Sequence, residues 1–210
     1  MVSWSPGALV VDIKFSTIVI ATRNRGKLRE FRSLLAPARV SLQSLEEAGM
    51  NGDFEETGNS FAENARLKAL AWSGLSDLPV LADDSGLEVF ALDRRPGIYS
   101  ARYAGVGATD ADRIAKLLDE LGRRGGDRAA RFVCALALAF RGALLIETEG
   151  ECHGVIADGP RGTNGFGYDP IFLFPELGRT YAELSEEEKN RYSHRANAVS
   201  LLLTALQMRK

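Results

Sequence analysis

The chain has 210 residues, 45% of them apolar and 26% charged, with a formal net charge of -2. This length and balance suit one α/β folding unit and exclude a fibrous or disordered chain. The small negative charge excludes a broad attraction to nucleic-acid backbones, so any phosphate ligand must be held by a local set of donors.

Met1 to Val11 carries neither a basic leader nor an apolar run fit for export, and no later segment reaches the roughly 20 apolar residues of a membrane span. The expectation is a cytoplasmic protein without membrane contact. Residues 1–14 precede the first periodic pattern and read as an extension. Residues 15–210 read as a single domain, with no repeat, low-complexity tract or long linker. Cys134 and Cys152 lie in apolar, strand-like segments without the spacing of a zinc site or a disulfide framework, and buried reduced thiols are the simplest reading.

In chain order, Ile18–Ala21 predicts a strand, Thr22–Gly26 a tight polar loop, and Leu28, Phe31 and Leu35 a helix that stops before Pro37. A short strand over Val40–Leu42 and an acidic loop over Glu46–Asn59 follow. Ser60 and Glu63 stand at capping-box spacing ahead of a helix lined by Phe61, Ala65, Ala69 and Trp72. Pro79–Ala82 and Leu87–Phe90 read as two strand pieces interrupted by Asp83-Asp84-Ser85-Gly86, and a further helix spans Thr109–Leu121. Ala130–Phe140 and Leu144–Ile156 read as a long antiparallel hairpin turning at Arg141-Gly142. A glycine-rich loop over Asp158–Gly167 leads into Tyr168–Phe174, and helices are predicted over Ser185–Tyr192 and Ala196–Met208. Helices alternating with strands, plus one long hairpin, predict an α/β fold with a mixed sheet.

Four polar loops fall where strands or helices end, the usual place for ligands in open α/β sheets. Thr22-Arg23-Asn24-Arg25-Gly26-Lys27 brings a hydroxyl, an amide and a lysine to a helix start that favours phosphate; a capped turn with a solvated basic face is the plainer reading. It is not a Walker A loop, since Leu28 stands where that motif needs Ser or Thr. Glu55-Glu56-Thr57 precedes the helix carrying Lys68, and acids there read most simply as partners of the helix dipole. Asp83-Asp84 offers oxygens that suit magnesium, against the alternative of an Asx turn. In Gly162–Pro170, glycines around Phe166 and Tyr168 let backbone and ring approach a planar ligand, or form a glycine-rich turn with core aromatics. His153 and His194 are the only histidines, which argues against a histidine metal site, and His153 reads as a structural or surface residue.

Together these segments resemble the non-canonical purine nucleoside triphosphate pyrophosphatases, the inosine triphosphatase family. The matching pieces are Thr22–Lys27, Glu55–Gly58 with Phe61–Lys68, Ala82–Gly86, Pro96–Arg102, Gly165–Pro170 and Ser193–Arg195, from about Ser16 onward. The resemblance implies an elongated mixed twisted sheet flanked by helices, two lobes around a nucleotide cleft, a homodimer, Mg2+, and hydrolysis of ITP, dITP or XTP to monophosphate and pyrophosphate. By residue, it implies that Thr22, Arg23, Asn24, Arg25, Gly26 and Lys27 bind triphosphate. It makes Asp84 both proton acceptor and metal ligand, Lys27 catalytic, and Lys68 and Ser85 substrate contacts. Glu55 is taken as the second metal carboxylate, with Glu56 the close alternative. Phe166, Gly167, Tyr168, Asp169, Lys189, His194 and Arg195 would complete the nucleotide site. Asn164 stands where relatives often have Gly, a place where Asn also tolerates positive φ.

On this reading Asp84 orients a water toward the α-phosphorus and Lys27 neutralises developing charge, while donors from Arg195 select hypoxanthine and xanthine over adenine. A pyrophosphatase for modified pyrimidine nucleotides is the nearest rival. A silent nucleotide- or RNA-binding module is the rival from another class, disfavoured by the acidic net charge.

Overall fold

The structure, a computed structural model, describes residues 15–207. The extension read over residues 1–14 lies outside them, as does the end of the last predicted helix. One seven-stranded sheet organises the chain: β1 (Thr17–Ala21), β2 (Ser41–Ser44), β3 (Val80–Val89), β4 (Ala129–Phe140), β5 (Ala143–Ile156), β6 (Phe172–Phe174) and β7 (Arg179–Thr180), in the order β2-β1-β3-β4-β5-β6-β7. β1 pairs parallel with β2 and β3, and every later pair is antiparallel. The expected mixed sheet is therefore present.

Side-chain alternation explains the layers. In β3 and β4, Val80, Ala82, Val133, Ala135 and Ala137 face α2 (Phe61–Ser73), while Leu81, Cys134, Leu136 and Leu138 face α1 (Arg25–Leu35) and α5 (His194–Gln207). β4 is thus covered on both faces and reads as an unbroken apolar run. β5 alternates instead, with Glu147, Glu149, Glu151 and His153 outward and Ile146, Cys152 and Ile156 inward. A third apolar cluster, farther along β3 and β4, packs α3 (Asp110–Arg124) against Phe132, Phe172 and Tyr181.

The structure corrects one reading. Asp83-Asp84-Ser85-Gly86 does not interrupt a strand: β3 is continuous and pairs with β4 through all ten of its residues. Two buried acids are tolerated there because β1 ends opposite Ala82, leaving an open edge where their side chains find partners. Tyr168–Phe174, which follows the glycine-rich loop, divides into a 3-10 turn (Asp169–Ile171) and β6. The last helix begins two residues early, at His194, one residue after α4 (Glu186–Tyr192) ends. That early start is possible because Gly150 lets α5 lie directly on β5; a Cβ there would stand 2.2 Å from the Ala198 nitrogen. Among the described residues no helix is long and apolar enough to cross a membrane.

Candidate active site

Beyond Ala21 the chain leaves the sheet and enters α1. The Asn24 side chain caps this helix, accepting from the Gly26 and Lys27 amides at 2.8 and 3.1 Å, and Thr22 Oγ1 accepts from the Asn24 amide at 3.2 Å. Helical geometry then aims Lys27 back across the open edge of β3, where its Nζ lies 2.5 Å from Asp83 Oδ1. Asp83 is fully buried. Burial alone would raise its pKa, but Lys27, then Arg195 and Lys68, outweigh burial and hold the carboxyl down at about 2.

Asp84 points to the other face of the sheet, as strand alternation requires, and accepts a hydrogen bond from Asn64 Nδ2 at 3.0 Å. Its environment differs in kind. Burial, then the neighbouring Glu56 carboxylate, push its pKa up to about 6, because its direct partner is a neutral amide. Glu56 itself accepts from Lys68 Nζ at 2.6 Å and lies 3.6 Å from Arg102, and Lys68 also donates to the Asp83 carbonyl at 3.2 Å. Glu55, one residue earlier, is exposed.

Two cavities, of about 240 and 150 Å³, share Asn24, Lys27, Glu56 and Ala101 in their walls. The first is lined by Thr22, Arg23, Lys68 and Asp83, and the second by Asp84, Ser85, Phe166, Gly167, Tyr168, Asp169, His194 and Arg195. One is a charged end suited to phosphate and cation; the other has the aromatic walls and buried donors of a planar-ligand end.

At the second end a closed ionic network sits in the core. Glu30, on α1, accepts from Lys189 at 2.9 Å and from Arg195 at 2.8 Å, and Lys189 also reaches Asp169 at 2.5 Å. All four residues are buried. Asp169 additionally accepts from the Phe166 amide at 2.9 Å, which fixes the turn of the glycine-rich loop. Arg195 donates a second bond to Ser85 Oγ at 2.8 Å, and its Nε has no partner among the described residues. The Phe166 ring lies under Lys189 and Arg195, about 5.2 Å from each cation. His194 stacks on Phe132 at 4.7 Å; burial, then Arg195, keep its ring neutral, and neither ring nitrogen has a partner among the described residues. The loop is held from a third side by Asp110, which accepts from the Gly167 amide at 2.7 Å, and by the Tyr168 hydroxyl donating to the Ser100 carbonyl at 3.0 Å.

Most of the residues singled out in the sequence therefore converge. Arg25 stands apart, and Arg23 only edges the charged cavity. Arg23 is exposed and bonds the Gly52 carbonyl and Asp53, and Arg25 is exposed along a separate groove with Arg29 and Arg32. His153 is exposed and pairs with Glu151 at 3.1 Å, in keeping with a structural part. Sequence reading passed over Asp83 as a partner of Lys27, and Glu30, Asn64, Asp110 and Phe132. Of these, only the Asp83-Asp84 doublet gave a signal.

A divalent cation fits this donor set. Asp84 and Glu56 supply hard oxygens, and Asp84 has no cation of its own, whereas Asp83 does. Among the described residues no three acidic, histidine or cysteine side chains form a closed metal cluster.

Fold and site together define an α/β protein whose charged cavity lies where a parallel strand ends. A Ham1 family model matches residues 18–205. The chain is 55% identical over 186 residues to a dITP/XTP pyrophosphatase of Geobacillus kaustophilus, covering 88% of this chain and 91% of that protein. It is 52% identical over 187 residues to one of Gloeobacter violaceus, covering 89% and 92%. Among solved structures, a HAM1 protein from Coxiella burnetii aligns with a TM-score of 0.83 and 45% identity over 91% of this chain and 98% of that one. The Staphylococcus aureus Ham1 protein aligns with a TM-score of 0.82 and 46% identity, over 92% and 100%. The chain belongs to the Ham1 family.

Proposed function

We propose that this chain hydrolyses non-canonical purine nucleoside triphosphates, dITP, XTP and ITP, to monophosphate and pyrophosphate, clearing them from the nucleotide pool. The relatives named dITP/XTP pyrophosphatase support the activity. The observation that carries the assignment to this site is the abutment of a cationic, carboxylate-bearing cavity and an aromatic one, with Lys27 and Glu56 in the wall of both.

Triphosphate lies along Thr22–Lys27 and Lys68, and the base lies beside Phe166. Lys27, anchored by Asp83, stands beside the phosphates, where its charge favours the transition state over the ground state. Asp84 and Glu56 would hold Mg2+, which would supply charge neutralisation for the phosphates. Asn64 donates to one Asp84 oxygen and so orients the carboxylate, which would accept a proton from the attacking water. At the base end the acids and cations are already paired, so selection rests on hydrogen bonds to a neutral ring, with Arg195 in the cavity wall as the donor-bearing residue. Two lobes around this cleft, a homodimer, a cytoplasmic location, and residues 1–14 as an extension of a single domain complete the reading.

The test is a panel of ITP, dITP, XTP, GTP, ATP and dTTP with Mg2+, scoring pyrophosphate against orthophosphate. Pyrophosphate release from dITP and XTP well ahead of ATP and dTTP is the expected result. Orthophosphate release, or a preference for pyrimidines, would refute it.

A further inference from the structure

We propose that Asn64 is a positioning residue, whose single amide fixes the two metal-facing acids, Asp84 and Glu56, relative to each other. The inference rests on the reading that those acids hold the divalent cation. Asn64 is completely buried in the second turn of α2. Its Oδ1 accepts from the Gly58 amide at 2.8 Å, and this fixes which end of the amide carries the hydrogens, so Nδ2 donates to Asp84 Oδ2 at 3.0 Å. Gly58 closes the short loop that bears Glu56. One side chain therefore ties that loop to a strand residue on the other side of the cleft.

Helix formation does not require this amide. Ser60 already caps α2 by accepting from the Glu63 amide at 3.1 Å, and Glu63 Oε2 accepts from the Asn59 amide at 2.7 Å. Asn is also a mediocre helix former, and an amide is costly to bury unless both its ends are bonded. Loop and amide are fitted to each other: a Cβ on Gly58 would stand 2.7 Å from Asn64 Oδ1 and 2.9 Å from Glu63 Cγ. The same anchor can thus be disturbed from either end, by Asn64→Leu directly or by Gly58→Ala, which leaves every atom of Asp84 and Asn64 in the chain.

The experiment measures Mn2+ binding to nucleotide-free protein by the electron paramagnetic resonance of free Mn2+, with circular dichroism and thermal melting to establish folding. Both variants should raise the Mn2+ dissociation constant by about 10- to 100-fold, the usual effect of removing a group that orients a metal ligand. They should also shift the Mg2+ activation curve to higher concentration, with KM for dITP at saturating Mg2+ much less affected. Asp84→Asn and Glu56→Gln run alongside. If these weaken Mn2+ binding while folded Asn64→Leu and Gly58→Ala bind it like the parent, the positioning role is wrong and the metal site stands. If Asp84→Asn leaves Mn2+ affinity untouched, the metal reading fails and this inference with it. Should Asn64→Leu not fold, Gly58→Ala decides alone.

Discussion

The two ends of the proposed nucleotide site, one for the base and one for the phosphates, treat buried charge in opposite ways. At the base end, Glu30 and Asp169 are matched by Lys189 and Arg195 within a buried, mutually bonded set. At the phosphate end, Asp83 is matched by Lys27, but Asp84 faces a neutral amide and a second carboxylate. The closed set holds a shape against which a neutral base can be measured, whereas the open one leaves an electrostatic demand that the ligands themselves satisfy. A protein that must accept a highly charged triphosphate and still judge a neutral ring needs both arrangements side by side.

The largest expected effect lies at the open end. Asp84→Asn should lower turnover of dITP by about 10²- to 10⁴-fold, the scale for losing a positioned acid or base. The same change removes an uncompensated buried charge, so thermal stability should hold or rise. A stopped assay for pyrophosphate and a melting curve on one preparation check both halves. Full turnover would break the proposed role, and a large loss of stability would break the contrast between the two ends.

The closed end should respond in the reverse sense. Glu30→Ala leaves two cations buried without their shared partner and should cost about 3–5 kcal/mol, read from urea denaturation. Its pH dependence follows from the same pairing. Burial pushes the Glu30 carboxyl up, but Arg195 and Lys189 overcome this and hold it below the ordinary glutamate value of 4.5. A depressed carboxyl contributes stability that is present above the unfolded-state pKa and is lost as pH falls through the folded one. Melting temperature against pH below about 5 should therefore fall more steeply for the parent than for Glu30→Gln.

How far the sequence discloses these two ends follows from chain distance. Strand and helix periodicity, the Ser60 cap and the long hairpin are local patterns, and the structure bears them out. Asp83-Asp84 misled because alternation was sought in apolar residues, and a buried acid in a strand shows its logic only beside its cation on another element. Glu30 is the extreme case. It sits on a helix otherwise rich in exposed arginines, and its partner Lys189 lies 159 residues further along the chain. Glu55 and Glu56 lie in an irregular loop, where no period tells which of two adjacent acids points inward.

That pair gives a direct comparison of neighbours. Glu56→Gln should weaken activation by Mg2+ by about 10- to 100-fold, whereas Glu55→Gln, exposed, should stay near the parent. Mg2+ activation curves for both variants suffice. Equal effects would mean that the loop swings to present either acid, and the open end would then owe its charge to motion and not to a fixed neighbour.

The smallest effect is expected where the two ends touch. Gly26 lies in the first turn of α1 at the phosphate end, yet the ring of Phe166 from the base end lies directly upon it, and a Cβ there would stand 2.5 Å from Phe166 Cδ1. A glycine inside a helix costs about 1 kcal/mol relative to alanine, so Gly26→Ala would by itself stabilise α1. Phe166 opposes that gain, because its loop is pinned by Asp169 and Asp110 and the ring cannot withdraw freely. Stability should therefore change by less than about 1 kcal/mol, the two terms nearly cancelling. KM for dITP should rise several-fold with little change in kcat, since the displaced ring belongs to binding and not to phosphate chemistry. A clear gain in stability with unaltered KM would show that Phe166 moves off Gly26 at no cost, and the two ends would then be mechanically independent.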